Sequence, residues 1–310
     1  MAEYRRLPTI TQLRHLVALA DHRHFGRAAA ACFVTQSSLS ASIKELEKVF
    51  GRILAERTKR HVMVTPMGAS AARRARAILT QVEDLVDLVQ AGNTPLGGEL
   101  RLGVIPTIAP FLLPRILPTI RRAHPGLGLY LGEAQSADLV DGLERGKYDL
   151  LLLAFPYDCG AAKTEIFADD SFWVIFPGGH PFADKEWLTA AELGGEDILL
   201  LGEGHCLRDH IRAACALETA SGDTEFAATS LHTLVQMAAN GIGLTLLPKM
   251  AIDAGLLRGT GLQARPLTGA GAARGIGIAW RATSPRAEEY LLLGGYLRDE
   301  LATPAIARSG

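Results

Sequence analysis

The sequence predicts an α/β protein in three parts: a small N-terminal helix-turn-helix module with a β-wing, one long linking helix, and a two-lobed body. Three observations carry this reading. Apolar residues recur at helical spacing through the N-terminal stretches, whereas beyond residue 98 short apolar runs alternate with amphipathic ones. Charge divides along the same line: residues 1–62 hold eleven Lys/Arg against five Asp/Glu, and residues 93–310 hold 18 against 25. Between the two textures lies GNTPLGG (92–98), the clearest linker in the chain.

Each N-terminal element follows from local pattern. TQLRHLVALADHRH places Leu13, Leu16, Val17 and Ala20 on one helical face, and FGRAAAACF is a short alanine-rich helix. VTQ is a tight turn with Thr35 as N-cap, and QSSLSASIKELEKVFG is a second helix ended by Gly51. Leu39, Ile43, Leu46 and Phe50 fall on the inward face of that helix. Thr35, Gln36, Ser37, Ser38, Ser40 and Lys44 begin or follow its other faces; small hydroxyls there suit base edges and phosphates in a major groove. RTKRHVMVT (57–65) reads as a basic wing, with Lys59 and Arg60 placed for phosphates. Such a basic module ahead of an acidic body points to a polyanionic partner.

TPMGASAARRARAILTQVEDLVDLVQAG opens with Thr65 at a cap and Pro66 at the first helical position. Ala75, Leu79, Val82, Val86 and Val89 form a heptad seam, expected to pair with a second copy. In the body, ELRLGVIP, LGLYLGEA, DLLLLAF, FWVIFP, EDILLLG, GLTLLP and GIGIAW read as strands. FLLPRILPTIRRAHP reads as a helix interrupted by proline, and SADLVDGLERGKY, 207–218, LHTLVQMAANG and RAEEYLLLGGYLRDEL as helices. Strand and helix alternate, which argues a parallel α/β sheet with ligands at the carboxyl ends of its strands.

Several classes are excluded by what the chain lacks. Its apolar runs are too short to span a bilayer and no secretory leader is visible, so a cytoplasmic protein is expected. The four cysteines, at 32, 159, 206 and 215, are too few for a disulfide scaffold and have no zinc-like spacing. No phosphate loop or Ser/His/Asp order suggests an enzyme, and no cofactor or metal is expected.

FGRAAAACFVTQSSLSASIKELEKVFG, ERTKR and VTPMG, with the linker helix and two-lobed body, resemble the LysR-type transcriptional regulators. Within that family GVIPTIAPFLLPRILP, YLGEAQS, GHCLRDH with Cys215 nine positions on, and FAATSLHTLVQMAANGIGLTLLP resemble the hydrogen-peroxide-sensing OxyR branch. The resemblance implies a winged helix-turn-helix over 1–64, a dimerising helix over 65–92, and a periplasmic-binding-protein-like regulatory domain over 93–310, with lobes about 98–168 plus 269–300 and 169–268. It implies a peroxidatic Cys206, a resolving Cys215, and a peroxide pocket of Thr107, Ser136, His205 and, more weakly, Arg281. The partners it implies are double-stranded promoter DNA, hydrogen peroxide, further copies of the chain up to a tetramer, RNA polymerase, and glutaredoxin or thioredoxin as reductant. Two positions depart from the branch: Ser136 is often threonine, and His210 often glutamine.

The residues suit that chemistry. A helix start near 207 and Arg208 are expected to lower the Cys206 pKa. In one helix, nine steps would set the two cysteines roughly 13 Å apart along the axis and on opposite faces, whereas a disulfide needs α-carbons within about 7 Å. Unwinding is then required, which would make the segment a redox switch. Two other readings stand beside this one: a LysR regulator of a small metabolite with incidental cysteines, and a thiol peroxidase, which would have no need of the N-terminal module.

Overall fold

The computed structural model describes residues 6–57, 62–90, 95–215 and 228–302, without the side chains of 87–90. They fall into two compact units, one built on the residues up to Gln90 and the other on the chain beyond it.

In the first unit, helices α1 (Ile10–His22), α2 (Phe25–Ala31) and α3 (Gln36–Phe50) precede a hairpin of β1 (Ala55–Arg57) and β2 (Val62–Val64), followed by α4 (Pro66–Gln90). Capping fixes each helix start. Thr9 and Gln12 form a capping box on α1, the His24 ring accepts from the Gly26 and Arg27 amides on α2, and Thr35 Oγ1 accepts from the Ser38 amide on α3. Gly51, in the left-handed region at φ 64°, ends α3. Leu16, Leu19, Phe25, Ala28, Leu39, Ile43, Leu46, Leu54 and Ala72 share one core. Phe50, expected to face inward, is 39% exposed because it lies in the last turn, past the core.

The linker helix has two characters. Ala72 and Ala75 are buried in the first unit, while Ile78, Leu85 and Val86 are exposed. The proposed seam therefore leaves its own domain's core as it runs toward the C-terminus. The side chain of Val89 lies outside the described residues.

The second unit carries a nine-stranded mixed sheet. In chain order it consists of β3 (Gly98–Val104), α5 (Ala109–Ala123), β4 (Leu127–Glu133), α6 (Ser136–Glu144), β5 (Leu150–Phe155), β6 (Ala162–Pro177), β7 (Leu188–Thr189), β8 (Ile198–Leu199), α7 (Cys206–Ala214), α8 (Leu231–Ala239), β9 (Leu244–Pro248), α9 (Lys249–Asp253), β10 (Leu262–Thr268), β11 (Ala273–Arg281) and α10 (Ala287–Ala302). Strand order is β4-β3-β5-β11-β6-β10-β7, with β9 on β6 and β8 on β9. All six residues of β5 are buried, as a central strand covered on both faces requires.

Three expectations are corrected here. The sheet is mixed: β3, β4 and β5 run parallel, but β11 is antiparallel to β5, and β6 is antiparallel to β9, β10 and β11. The strand read at FWVIFP is the second part of the 16-residue β6, whose polar first part, AKTEIFADDS, hid its strand character. α5 is also one helix, despite Pro114 and Pro118. The two prolines lie four residues apart on the exposed face, where the carbonyls left without an amide partner reach water. The opposite stripe, Phe111, Leu112, Ile116 and Ile120, is buried.

β6 joins the two halves of the body. Its residues up to Ser171 pair with β11, and from Phe172 onward it pairs with β9 and β10. The changeover is immediate, with the Phe172 amide donating to the Ala272 carbonyl at 2.8 Å.

Packing in the first unit gives a direct test. A Cβ on Gly68 would stand 2.0 Å from the Leu54 carbonyl oxygen, which belongs to backbone and cannot rotate away. Gly68→Ala is expected to cost about 1–3 kcal/mol, read as a lower thermal midpoint of the first unit by calorimetry with DNA binding weakened. The second unit's transition should be unchanged.

Candidate functional site

Three segments converge at the carboxyl ends of the parallel strands β3 and β4. Ile105–Thr107 follow β3, Gln135 and Ser136 follow β4, and Gly204–Cys206 lead into α7; together they line a small, tightly packed pocket. Thr107 and Ser136 are each 2% exposed and Cys206 5%. Gly204 sits at φ +87° with the Gln135 side chain against it, where a Cβ would meet Oε1 at 2.1 Å. Its backbone can approach so closely only as glycine.

Cys206 is the first residue of α7, and His205 occupies the N-cap without a side-chain cap bond. Burial pushes the Cys206 thiol up from its ordinary value. A hydrogen bond with the Ser136 side chain, the Arg274 guanidinium and a bond with the Leu207 amide pull it back, and Asp209 opposes them. Burial also holds the His205 ring below the ordinary imidazole range, so it is neutral at neutral pH.

The cation at the site is Arg274, which the sequence reading missed. Its side chain is fully buried. Nε and Nη2 donate to Asp170 Oδ2 at 3.1 and 3.0 Å, Nη1 to Thr107 Oγ1 at 2.8 Å, and Nη2 to the Thr107 carbonyl at 3.0 Å. Asp170 and Arg274 are directly opposed partners on β6 and β11, and Asp170 Oδ1 also accepts from the Met250 amide at 2.9 Å. Because a guanidinium only donates, Thr107 Oγ1 must accept from it. The hydroxyl hydrogen of Thr107 is therefore available to another acceptor.

Two sequence expectations about arginine fail. Arg281 is at the other end of β11, roughly 23 Å along the strand from Arg274. Its Nη1 donates to the Tyr148 carbonyl at 2.7 Å, and it pairs with Asp149 at 3.7 Å. Arg208 turns back to donate to the Leu201 carbonyl at 3.3 Å, so the charge beside Cys206 comes from the sheet rather than from its own helix.

Cys215 caps the far end of α7. It is buried, and burial pushes its thiol up to about 11. With α7 intact between them the two cysteines stand at opposite ends of the helix, and both are free thiols. Cys159 is likewise buried with its thiol pushed up to about 11.

In the first unit the start of α3 presents Thr35, Gln36, Ser37, Ser38 and Lys44 to solvent, with Ser40 half-buried. Thr35 Oγ1 is within hydrogen-bond distance of Ser37 Oγ and Ser38 Oγ, at 3.0 and 2.8 Å, which fixes these short side chains as a group. Lys59 and Arg60 lie outside the described residues. Among the described residues no helix is long and apolar enough to cross a membrane.

Comparison with known proteins covers both units. Residues 10–69 match the bacterial regulatory helix-turn-helix protein model of the lysR family, and residues 93–302 match the LysR substrate binding domain. The HTH-type transcriptional regulator EstR of Acinetobacter baylyi is 41% identical over 255 residues, 81% of this chain and 83% of that protein. A probable hydrogen peroxide-inducible genes activator of Streptomyces viridosporus is 40% identical over 307 residues, 97% of each chain. The solved structure of a full-length OxyR variant from Pseudomonas aeruginosa superposes with a TM-score of 0.76 at 35% identity, covering 94% of this chain and 95% of that one. A helix-turn-helix unit with an exposed polar helix start, ahead of a mixed α/β unit with its pocket at the strand ends, thus has matching relatives over nearly its whole length: the chain belongs to the LysR family of bacterial transcriptional regulators.

Proposed function

We propose that this regulator senses hydrogen peroxide by oxidation of Cys206 and is switched by a reversible Cys206–Cys215 disulfide. The observation that carries the reading is the constellation itself: the Cys206 thiol with the Ser136 hydroxyl against it, the Thr107 hydroxyl at the same pocket, and the buried Arg274 guanidinium bonded to Thr107. The name of the Streptomyces relative points the same way.

Each residue has a role in that reaction. Arg274 favours the thiolate of Cys206, and Ser136 holds the sulfur. Thr107, whose oxygen is occupied by Arg274, directs its hydroxyl hydrogen to a peroxide oxygen. The thiolate attacks one oxygen; the S–O bond forms as the O–O bond breaks, and hydroxide leaves. Neutral His205, placed at the pocket, can take up the Cys206 thiol proton as the thiolate forms and pass that same proton to the hydroxide, giving water. Cys206 is then a sulfenic acid, and attack by the Cys215 sulfur forms the disulfide and releases a second water. Because the cysteines sit at the two ends of α7, the second step requires the helix to open.

The switch serves DNA binding in the cytoplasm. Thr35, Gln36, Ser37, Ser38, Ser40 and Lys44 meet promoter DNA in the major groove, with Lys59 and Arg60 on phosphates. The exposed apolar end of α4 pairs with a second copy, and contacts between bodies complete a tetramer. RNA polymerase is the downstream partner, and glutaredoxin or thioredoxin returns the thiols.

One equivalent of hydrogen peroxide should give a Cys206–Cys215 disulfide by thiol mass spectrometry, and a trapped Cys206 sulfenic acid in Cys215→Ser. Unmodified Cys206 at that dose would sink the proposal. Cys206→Ser should bind DNA but no longer respond to peroxide. Arg274→Gln should move the titration midpoint of Cys206 alkylation upward, since a nearby cation that favours the thiolate is removed. It should also cost roughly 3–5 kcal/mol of stability, because Asp170 is left buried without its cation.

A further inference from the structure

The geometry of His210 gives it work to do. It lies on the buried face of α7, 8% exposed, one turn beyond Cys206. Residues four apart on a helix are neighbours. Its Nε2 is 2.8 Å from the Pro156 carbonyl oxygen. A carbonyl accepts only, so Nε2 carries the hydrogen and the neutral ring leaves Nδ1 as an acceptor. Nδ1 is buried with no hydrogen-bond partner.

The surroundings resist a second proton on this ring. The groups that act on it are the Pro156 carbonyl, Arg274 from β11 and Asp209 beside it on α7. Burial is the largest influence and, with Arg274, holds the imidazole below its ordinary range, while the Pro156 carbonyl and Asp209 pull the other way. A proton on Nδ1 would place a cation near a guanidinium that is already fully buried and committed to Asp170 and Thr107.

We infer that His210 is a positioning residue for the disulfide-forming step: as the neutral ring it packs α7 against the chain at Pro156, and a proton on Nδ1, which is buried without an acceptor, favours the opened helix where water can solvate it. The inference rests on the peroxide reading for its purpose but not for its physics. The direction with pH follows from the cycle between packed and opened α7. In the opened segment the ring returns to its ordinary value of about 6.5. Above that value His210 is neutral in both states and the fastening is complete. As pH falls from about 6.5 toward the depressed value of the packed state, opening takes up a proton and becomes easier, by up to about tenfold per unit. Disulfide formation is thereby assisted at mildly acid pH, where the Cys215 thiolate is scarcer and the step would otherwise slow.

The test uses the reduced full-length protein and His210→Gln, whose amide can donate to Pro156 but does not titrate. Hydrogen exchange of amides 210–214 is measured between pH 7.5 and 5, each rate divided by its intrinsic value. Wild-type protection should fall by up to about tenfold per unit below pH 6.5, and the glutamine variant should stay flat. A flat wild-type profile overturns the inference. Equal slopes in both proteins also overturn it, since the proton would then belong to another group such as His205. In a second arm, the rate from sulfenic acid to disulfide is measured in both proteins. The wild-type to variant ratio, which cancels the titration of Cys215, should rise as pH falls; a constant ratio sinks the proposed role in the switch. Absence of any sulfenic acid would instead defeat the peroxide reading, leaving the exchange profiles to decide on His210.

Discussion

The buried pair of Arg274 and Asp170 is the constraint on which the second unit depends. It lies where β6 and β11 face one another, next to the point at which β6 passes from one set of partners to the other. Asp170 also accepts from the first turn of α9, and Arg274 also holds the segment after β3 at both the backbone and the hydroxyl of Thr107. Four parts of the chain are thus tied to one ion pair. Burying two charges costs several kcal/mol per ion before their attraction is counted, so the pair is a poor source of stability. It is a good source of position: the fork geometry of the guanidinium admits one arrangement of Asp170 and Thr107, and that arrangement sets where a cation stands relative to Cys206.

The opposing influences on Cys206 explain why such a pair is worth keeping. Burial alone would make the thiol inert. Arg274, Ser136 and the Leu207 amide act against it within the pocket, so the reactivity of the sulfur is bound to the pocket's geometry. Cys215 and Cys159 have no such opposition that approaches the effect of burial, and both are pushed up to about 11. Three buried cysteines in one unit are therefore chemically unequal, and the difference comes from Ser136 at the start of α6, Arg274 on β11 and the Leu207 amide of α7.

Much of the first unit was legible because its signals are local. Thr35 as cap, Gly51 as terminator and Pro66 at a helix start are decided within three or four residues. The site was legible only in part. Thr107, Ser136, His205 and Cys206 come together as the family resemblance implied, and GHCLRDH marks one wall of the pocket. Arg274 was not legible: its partners are 104 and 167 residues away, and ARGIGIAW carries no local sign that its arginine is buried. Arg281, seven residues on, was chosen from the resemblance alone and serves Tyr148 and Asp149 instead. The proline-bearing α5 misled for a related reason. Local rules say that proline breaks a helix, but which face meets water is a tertiary fact.

The closed pocket has a consequence for traffic in and out of the switch. With α7 packed, Cys206 is 5% exposed, which leaves a bulky thiol or a protein disulfide little of the sulfur to reach. In the cycle proposed above, α7 would have to open to join the cysteines, and the bond would then belong to a segment stripped of that cover. Oxidant and reductant would use different doors: a small molecule would enter the folded form, and a thiol-reducing protein would meet the opened one. Reduction would let the helix close over the thiols again. The burial of two sulfurs would thus give such a cycle a direction, in the way a valve does.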